Sequence, residues 1–362
     1  MDYMQRALFL ARQALGHTSP SPAVGAVLVR DDVVVGEGFT QPPGSDHAEI
    51  VALKHAGAKS RGATLYVTLE PCCHFGRTPP CSRALIAAGI AEVHLAMLDP
   101  NPLVSGRGRG ELEQAGIKMV IGEHEAEARE VNEAYIKYIT TGLPFVIAKF
   151  AMSLDGKIAT ASGDSRWISG EAARSYVHEL RRNVDAIIVG VNTVLADDPQ
   201  LTARSDSGEV SGCQPLRIIA DAQGRTPASA RVFSTTGHTL LAVAEDIKPA
   251  KARRLEQAGA ELIRLPNEEG LVDLKALFKL LGQRQVTSVL AEGGGQLVGS
   301  LFDQGLVDKV VVFIAPIIIG GANARAAVAG QGVDKVSQAL RLKQVRIEML
   351  DQDIMVIGYT GA

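Results

Sequence analysis

The first sixteen residues, MDYMQRALFLARQALG, carry apolar side chains at helical spacing interrupted by Arg6 and Arg12, which predicts an amphipathic helix over 2–15. After a Ser/Pro turn, HTSPSP, come two apolar β-branched runs, Val24–Val29 and Val33–Phe39, joined by the tight turn Arg30-Asp31-Asp32. The pattern then predicts a helix near 47–57, a strand at 63–69, a helix after Cys81, a strand at 91–98, and a helix–strand pair ending at Ile121. A hairpin followed by such units predicts a mixed sheet covered by helices. Residues 123–139, EHEAEAREVNEAYIKYI, read as one charged helix, stopped by Gly142 and Pro144. The boundary is therefore expected at about 143, giving domains 1–143 and 144–362. In the second domain, strands predicted at 145–151, 185–190, 216–220, 239–243, 286–291 and 308–315 alternate with helical stretches, so both domains read as α/β. The tract RSDSGEVSGCQP, 204–215, reads as an exposed loop, and no internal repeat is visible.

Composition narrows the class. Apolar residues make up 46% and charged residues 21% of the 362, as in a soluble globular protein. Lys plus Arg (37) nearly balances Asp plus Glu (40), which argues against a nucleic-acid-wrapping surface but leaves room for a basic pocket for a phosphorylated ligand. The N-terminal stretch lacks the basic start and continuous apolar run of a signal peptide, and no stretch approaches the ~20 apolar residues of a membrane span. A cytoplasmic protein is expected. Four cysteines do not make a disulfide framework, and Cys213 stands alone.

The other three lie within TLEPCCHFGRTPPC, 68–81. Upstream, DHAE at 46–49 precedes the helical run IVALKHAG, with Asp46 as the expected N-cap and His47 and Glu49 in the first turn. Pro79 and Pro80 preset the chain so that Cys81 opens a helix, where free N–H groups stabilise a thiolate. His47 with two thiolates makes three ligands, the number that leaves zinc a fourth, catalytic position. Glu49 beside such a site can shuttle protons. The pattern H-x-E followed by P-C-x-x-C is that of zinc nucleobase deaminases. Here His47-Ala48-Glu49 and Pro71-Cys72 fit, while the next matching cysteine is Cys81, nine residues on. A structural zinc on Cys72, Cys73, His74 and Cys81 is the competing arrangement, but it leaves His47 and Glu49 without a purpose.

With its insertion, HAE…TLEPCCHFGRTPPC resembles the bifunctional riboflavin-biosynthesis deaminase–reductase family. DPNPLVSGRGRGELEQAGI (99–117), KFAMSLDGKIAT (149–160), RWISG (166–170) and DAIIVGVNTVLADDPQLTAR (185–204) extend the resemblance over essentially the whole chain. It implies a cytidine-deaminase-like three-layer α/β/α domain followed by a dihydrofolate-reductase-like α/β domain. The implied reactions are zinc-dependent deamination of a diamino-pyrimidinone ribosyl phosphate, then NADPH-dependent reduction of its ribosyl group to ribityl. Carried over by resemblance, the zinc ligands are His47, Cys72 and Cys81, Glu49 is the proton shuttle, and Cys73 is a bystander. His74, Arg77, Asp99 and Asn101 match positions that contact the pyrimidine or its phosphate, although His74 also fits a group that orients a ligand. Two departures fall on that side: Ser21 stands where relatives commonly have Asn, and Thr40 where many have His.

In the second half, SVLAEGGGQLVGSLF (288–302) reads as strand, glycine turn and helix, a place where a phosphate can approach the backbone. The resemblance runs the cofactor along Ala151, Trp167, Thr193, Asp197 and 294–300, that is Gly294, Gly295, Gln296, Leu297, Val298, Gly299 and Ser300. It sets the ribosyl phosphate near Ser165, Arg181, Leu201, Arg204 and Glu292; Arg182 reads as solvated. Ala222 replaces a serine that often supplies a further contact after an aspartate like Asp221. Lys149 and Asp155 are candidates for assisting ring opening or protonation. Homo-oligomerisation is implied by family analogy. The alternatives are a nucleoside or RNA deaminase with an appended domain, and a non-enzymatic zinc module for a protein partner.

Overall fold

The computed structural model describes residues 2–361 except 205–207 and 211. The chain divides into two compact units, Met1–Leu143 and Pro144–Ala362. No helix among the described residues is long and apolar enough to cross a membrane.

The first unit runs α1 (Tyr3–Ala14), β1 (Gly25–Arg30), β2 (Val33–Phe39), α2 (Ala48–Ala56), β3 (Thr64–Val67), α3 (Cys81–Ala88), β4 (Glu92–Leu95), α4 (Arg107–Gln114), β5 (Lys118–Ile121), α5 (Glu125–Val131) and α6 (Glu133–Thr141). Its sheet has the order β2-β1-β3-β4-β5, with β1 antiparallel to both neighbours and β3, β4 and β5 parallel. Asp31 and Asp32 both have positive φ, the geometry of a two-residue hairpin turn. Two close approaches set the layers. A Cβ at Gly25 would lie 1.9 Å from the Ala7 carbonyl of α1, and one at Gly38 2.6 Å from the Ala48 carbonyl of α2. Gly25 and Gly38 occupy adjacent, oppositely facing positions in the β1–β2 register, so α1 and α2 cover opposite faces, giving three layers.

Two local expectations are corrected. His47, not Asp46, is the N-cap of α2; Asp46 instead pairs with Lys54. The charged helix is two, broken at Asn132, whose buried amide accepts from the Ala23 N–H (2.9 Å) and donates to the Ala23 carbonyl (3.0 Å).

The second unit contains β6 (Phe145–Ser153), β7 (Lys157–Ala159), α7 (Glu171–Arg182), β8 (Ala186–Gly190), α8 (Val191–Asp197), β9 (Leu216–Ala220), β10 (Thr239–Val243), α9 (Pro249–Gln257), β11 (Ala260–Arg264), α10 (Leu274–Gln283), β12 (Ser288–Glu292), α11 (Gly295–Asp303), β13 (Lys309–Ala315), β14 (Arg325–Ala326), β15 (Lys343–Leu350) and β16 (Asp353–Tyr359). Its main sheet has the order β11-β10-β9-β8-β12-β6-β13-β16-β15; the run from β11 to β13 is parallel and the β15–β16 hairpin closes it antiparallel, while β7 pairs with β14. Central strands such as β8 and β12 are buried almost throughout, which is why they read as unbroken apolar runs. The strands missing from the sequence reading (β7, β11, β14, β15 and β16) lie at or near the edges or in the ribbon. There, partial burial weakens the apolar signal; β15 is exposed along nearly its whole length. Of the tract 204–215, residues 205–207 and 211 lie outside the described residues; Cys213 is exposed.

Candidate metal centre and reductase cleft

His47 ends the loop before α2, Cys72 follows β3, and Cys81 is the first residue of α3 behind Pro80. One ligand atom from each lies within 4.8 Å of the others. His47 Nδ1 is 3.6 Å from Cys72 Sγ and 3.3 Å from Cys81 Sγ. Tetrahedral zinc with N and S ligands demands N···S edges of about 3.6 Å, so the donor set and its spacing fit this ion. Electrostatics agree. Donation from Cys81 and then His47 brings the Cys72 thiol down to about 4, while the same sharing pushes Cys81 up. Two thiols forced to share one proton are the pair that a divalent cation lets ionise together. Cys73 points elsewhere, 3.9 Å from the Leu103 carbonyl.

Supporting contacts missed by the sequence reading complete the centre. Thr78, inside the insertion, sits with its hydroxyl 3.1 Å from His47 Nε2, which orients the ring so that Nδ1 faces the thiols. The Cys81 amide donates to Cys72 Sγ at 3.4 Å. Glu70 accepts the amides of Asp99 (3.1 Å), Gly106 (2.9 Å) and Arg109 (2.9 Å), tying the chain before Cys72 to the 99–109 segment and the start of α4. Glu49 is buried beside this centre. Burial first and the Cys72 charge second raise its carboxyl to about 7, against the attraction of His47.

Among the substrate candidates, Asp99 is buried and accepts from the Asn101 amide (2.9 Å) and the Tyr135 hydroxyl (2.9 Å). Burial nonetheless lifts its carboxyl to about 6. His74 is half-buried with Nδ1 lacking a hydrogen-bond partner, whereas Arg77 is exposed. Thr40 is buried and spends its hydroxyl on the Val24 amide, at 3.1 Å.

A cleft of about 2240 Å³ opens in the second unit beside the carboxyl ends of β8, β9 and β12, where open parallel sheets bind ligands. Ala151, Trp167, Thr193, Asp197 and the turn 293–297 line it, with Ser300. So do Ser165, Arg181, Leu201, Arg204, Glu292 and Lys149. The Gly294 amide donates to Thr193 Oγ1 at 3.0 Å, and a side chain at Gly293, with φ of 118°, would strike that hydroxyl. Trp167 is 72% exposed with the Arg174 guanidinium 4.7 Å from its ring centroid, and Ser165 Oγ donates to Asp197 at 3.1 Å.

Arg181 grips Glu292 with two bonds of 2.6 and 2.8 Å and donates to the Thr202 carbonyl; Lys149 Nζ lies 3.8 Å from Glu292. Burial pushes the Glu292 carboxyl up, but the adjacent Arg181 and then Lys149 outweigh it and hold it at about 2. Burial lowers the Lys149 amine, with Glu292 opposing.

Val298 is fully buried in the core and Gly299 packs against the 329–330 backbone, and neither is among the residues that line the cleft. Asp155 is committed to a turn: it accepts from Ser153 (2.6 Å), Ile319 (3.0 Å) and Gly320 (2.8 Å), which hold its carboxyl at about 2, and it is not among the cleft residues. Arg182 is not a free solvated side chain, since it donates to the Arg204 carbonyl at 2.7 Å. His178, passed over in the sequence, lines the cleft.

A His/Cys/Cys centre with a buried glutamate, on a three-layer fold, joined to an α/β unit with a glycine-turn cleft, defines a zinc deaminase coupled to a nucleotide-dependent reductase. Residues 1–97 match the cytidine and deoxycytidylate deaminase zinc-binding region, and residues 144–356 the RibD C-terminal domain. The chain is 43% identical to riboflavin biosynthesis protein RibD of Actinobacillus pleuropneumoniae, over 98% of this chain and 94% of that one. With the Escherichia coli protein of the same name the identity is 42%, over 97% of each. The solved structure of Acinetobacter baumannii RibD matches with a TM-score of 0.87 at 40% identity, over 99% of this chain and 97% of that one. For a Thermotoga maritima diaminohydroxyphosphoribosylaminopyrimidine deaminase/5-amino-6-(5-phosphoribosylamino)uracil reductase the TM-score is 0.86 at 35% identity, with the same coverage. The chain belongs to the RibD family, and is a bifunctional enzyme of riboflavin biosynthesis with a zinc-dependent deaminase and an NADPH-dependent reductase.

Proposed function

We propose that residues 1–143 deaminate diaminohydroxyphosphoribosylaminopyrimidine, the substrate named for the Thermotoga maritima relative, and that residues 144–362 reduce the resulting 5-amino-6-(5-phosphoribosylamino)uracil at its sugar. The observation that carries this reading is the convergence of His47, Cys72 and Cys81 beside buried Glu49. Zinc on these three ligands supplies the Lewis acidity that makes water a nucleophile near neutral pH. Glu49 takes a proton from the attacking water and delivers it to the ring nitrogen as the C–O bond forms, then carries the proton of the new hydroxyl to the exocyclic amine, and the C–N bond breaks to release ammonia and leave the carbonyl. Thr78 holds the His47 ring, and the Cys81 amide supports Cys72 as a thiolate. His74, Arg77, Asp99 and Asn101 contact the substrate, with Glu70 bracing Asp99.

In the second unit NADPH supplies a hydride to C1′ of the opened sugar. Ala151, Trp167, Thr193, Asp197 and the turn from Gly294 would hold the cofactor, and Ser165, Arg181, Leu201, Arg204 and Glu292 would hold the phosphorylated sugar. Glu292 presets Arg181 as a charged fork. Lys149, at the cleft wall and not tied into a turn like Asp155, is the group placed to donate a proton during ring opening. The enzyme acts on free small molecules and not on nucleic acid, a reading supported by its nearly balanced charge, and by family analogy it works in the cytoplasm as a homo-oligomer.

The test is incubation of zinc-loaded protein with the diamino-pyrimidine phosphate. Ammonia release without NADPH, followed by NADPH oxidation on its addition, is expected. Absence of both from zinc-replete protein overturns the reading.

A further inference from the structure

Among the titratable side chains that line the reductase cleft and that the reaction described above leaves unused is a histidine. His178 lies on α7 one turn before Arg181, so the two share a helix face, and its ring lines the cleft while remaining half-buried. Its Nδ1 is sealed from solvent and has no hydrogen-bond partner among the described residues. A buried polar atom in that condition is costly unless something completes its bonding.

The charges around it indicate what that is. Arg181 and Arg182 act on the imidazole from α7, Arg204 from the segment after α8, and Glu292 from β12: three cations against one carboxylate. Glu292 is already taken up by Arg181, and the Arg182 bond to the Arg204 carbonyl fixes Arg204 against the helix. What remains is net positive, and burial followed by Arg181 and Arg204 pushes His178 toward its neutral form. An arriving anion reverses that bias, because it favours a protonated, donating ring.

We propose that His178 is a further substrate-binding residue of the reductase, its imidazole N–H donating to the phosphomonoester of the sugar alongside Arg181 and Arg204. This rests on the reading that Arg181 and Arg204 hold the substrate phosphate. The consequence is selectivity: His178 makes the cleft prefer a phosphorylated over a dephosphorylated sugar.

The test uses full-length zinc-loaded enzyme and follows NADPH oxidation with 5-amino-6-(5-phosphoribosylamino)uracil and with its dephosphorylated counterpart. Loss of a hydrogen bond to a charged group predicts that His178→Ala raises KM for the phosphorylated substrate about 10- to 100-fold, with little change in kcat. On the dephosphorylated substrate the variant and the wild type should behave alike, and His178→Gln, which keeps an N–H donor, should recover much of the loss. Thermal unfolding of both variants checks that the fold is kept. An unchanged KM, or an equal penalty on both substrates, overturns the role and leaves His178 a packing residue. A rise in KM for NADPH instead assigns the contact to a cofactor phosphate and overturns it too. If the wild type itself does not distinguish the two substrates and Arg181→Ala does not alter KM, the failure lies in the phosphate reading beneath the proposal. If the wild type discriminates and His178→Ala matches it, only the histidine's role fails.

Discussion

Replacing Glu292 with Gln removes the carboxylate that pairs with Arg181 and Lys149 inside the reductase cleft. The Glu292 carboxyl is held at about 2 against an ordinary 4.5, a depression worth about 3 kcal/mol at neutral pH. Breaking a buried ion pair by removing one partner costs ~3–5 kcal/mol, so two separate routes give the same magnitude. In a unit of about 220 residues, each kcal/mol moves the melting midpoint by roughly 2–4 °C. Glu292→Gln should therefore lower the reductase-unit transition by about 6–12 °C at pH 7, as read by scanning calorimetry. The pH dependence has a definite sign. A carboxylate with a depressed folded pKa contributes fully above its unfolded pKa, and the contribution disappears as pH falls through the folded pKa. The gap between wild type and variant should shrink from about 3 kcal/mol at pH 7 to roughly half of that or less at pH 3 and nearly close by pH 2. A shift of under ~2 °C at pH 7, or a gap that stays constant down to pH 3, would refute the reasoning.

At the metal centre, Glu49→Gln should keep stoichiometric zinc by metal analysis while losing at least ~100-fold in deamination, whereas Cys81→Ser should lose zinc as well; zinc loss in the Gln variant would make Glu49 a ligand. Gly299→Ala places a Cβ 1.7 Å from the Ala329 carbonyl, so the α11 packing must shift, at a cost of about 1–3 kcal/mol by denaturation; unchanged stability would contradict that close approach. In the reductase assay, Lys149→Met should depress kcat far more than Asp155→Asn, and the reverse order would return the proton-donor role to Asp155.

The central features of both units were legible because local patterns encode them. Unbroken apolar runs marked β8 and β12, and Pro79-Pro80 before Cys81 announced the helix that opens there. Less was legible where a residue answers to a distant partner. Asp46 has the chemistry of a cap but is drawn to Lys54, and Asn132 breaks a helix because its amide serves Ala23, 109 positions away. The edge strand β15 escaped for the opposite reason, since a strand without a buried face loses its pattern.

For TLEPCCHFGRTPPC the amino-acid order pointed to candidate ligands and to the helix start at Cys81. Only the tertiary structure brought His47 within 3.6 Å of Cys72 and placed Thr78 on the far side of its ring. It likewise joined Arg181 to Glu292 across 111 positions and committed Asp155 to a turn. Residue type and short-range spacing fix what a side chain is able to do; burial and partners across the fold fix its charge and orientation, and these decide what it does.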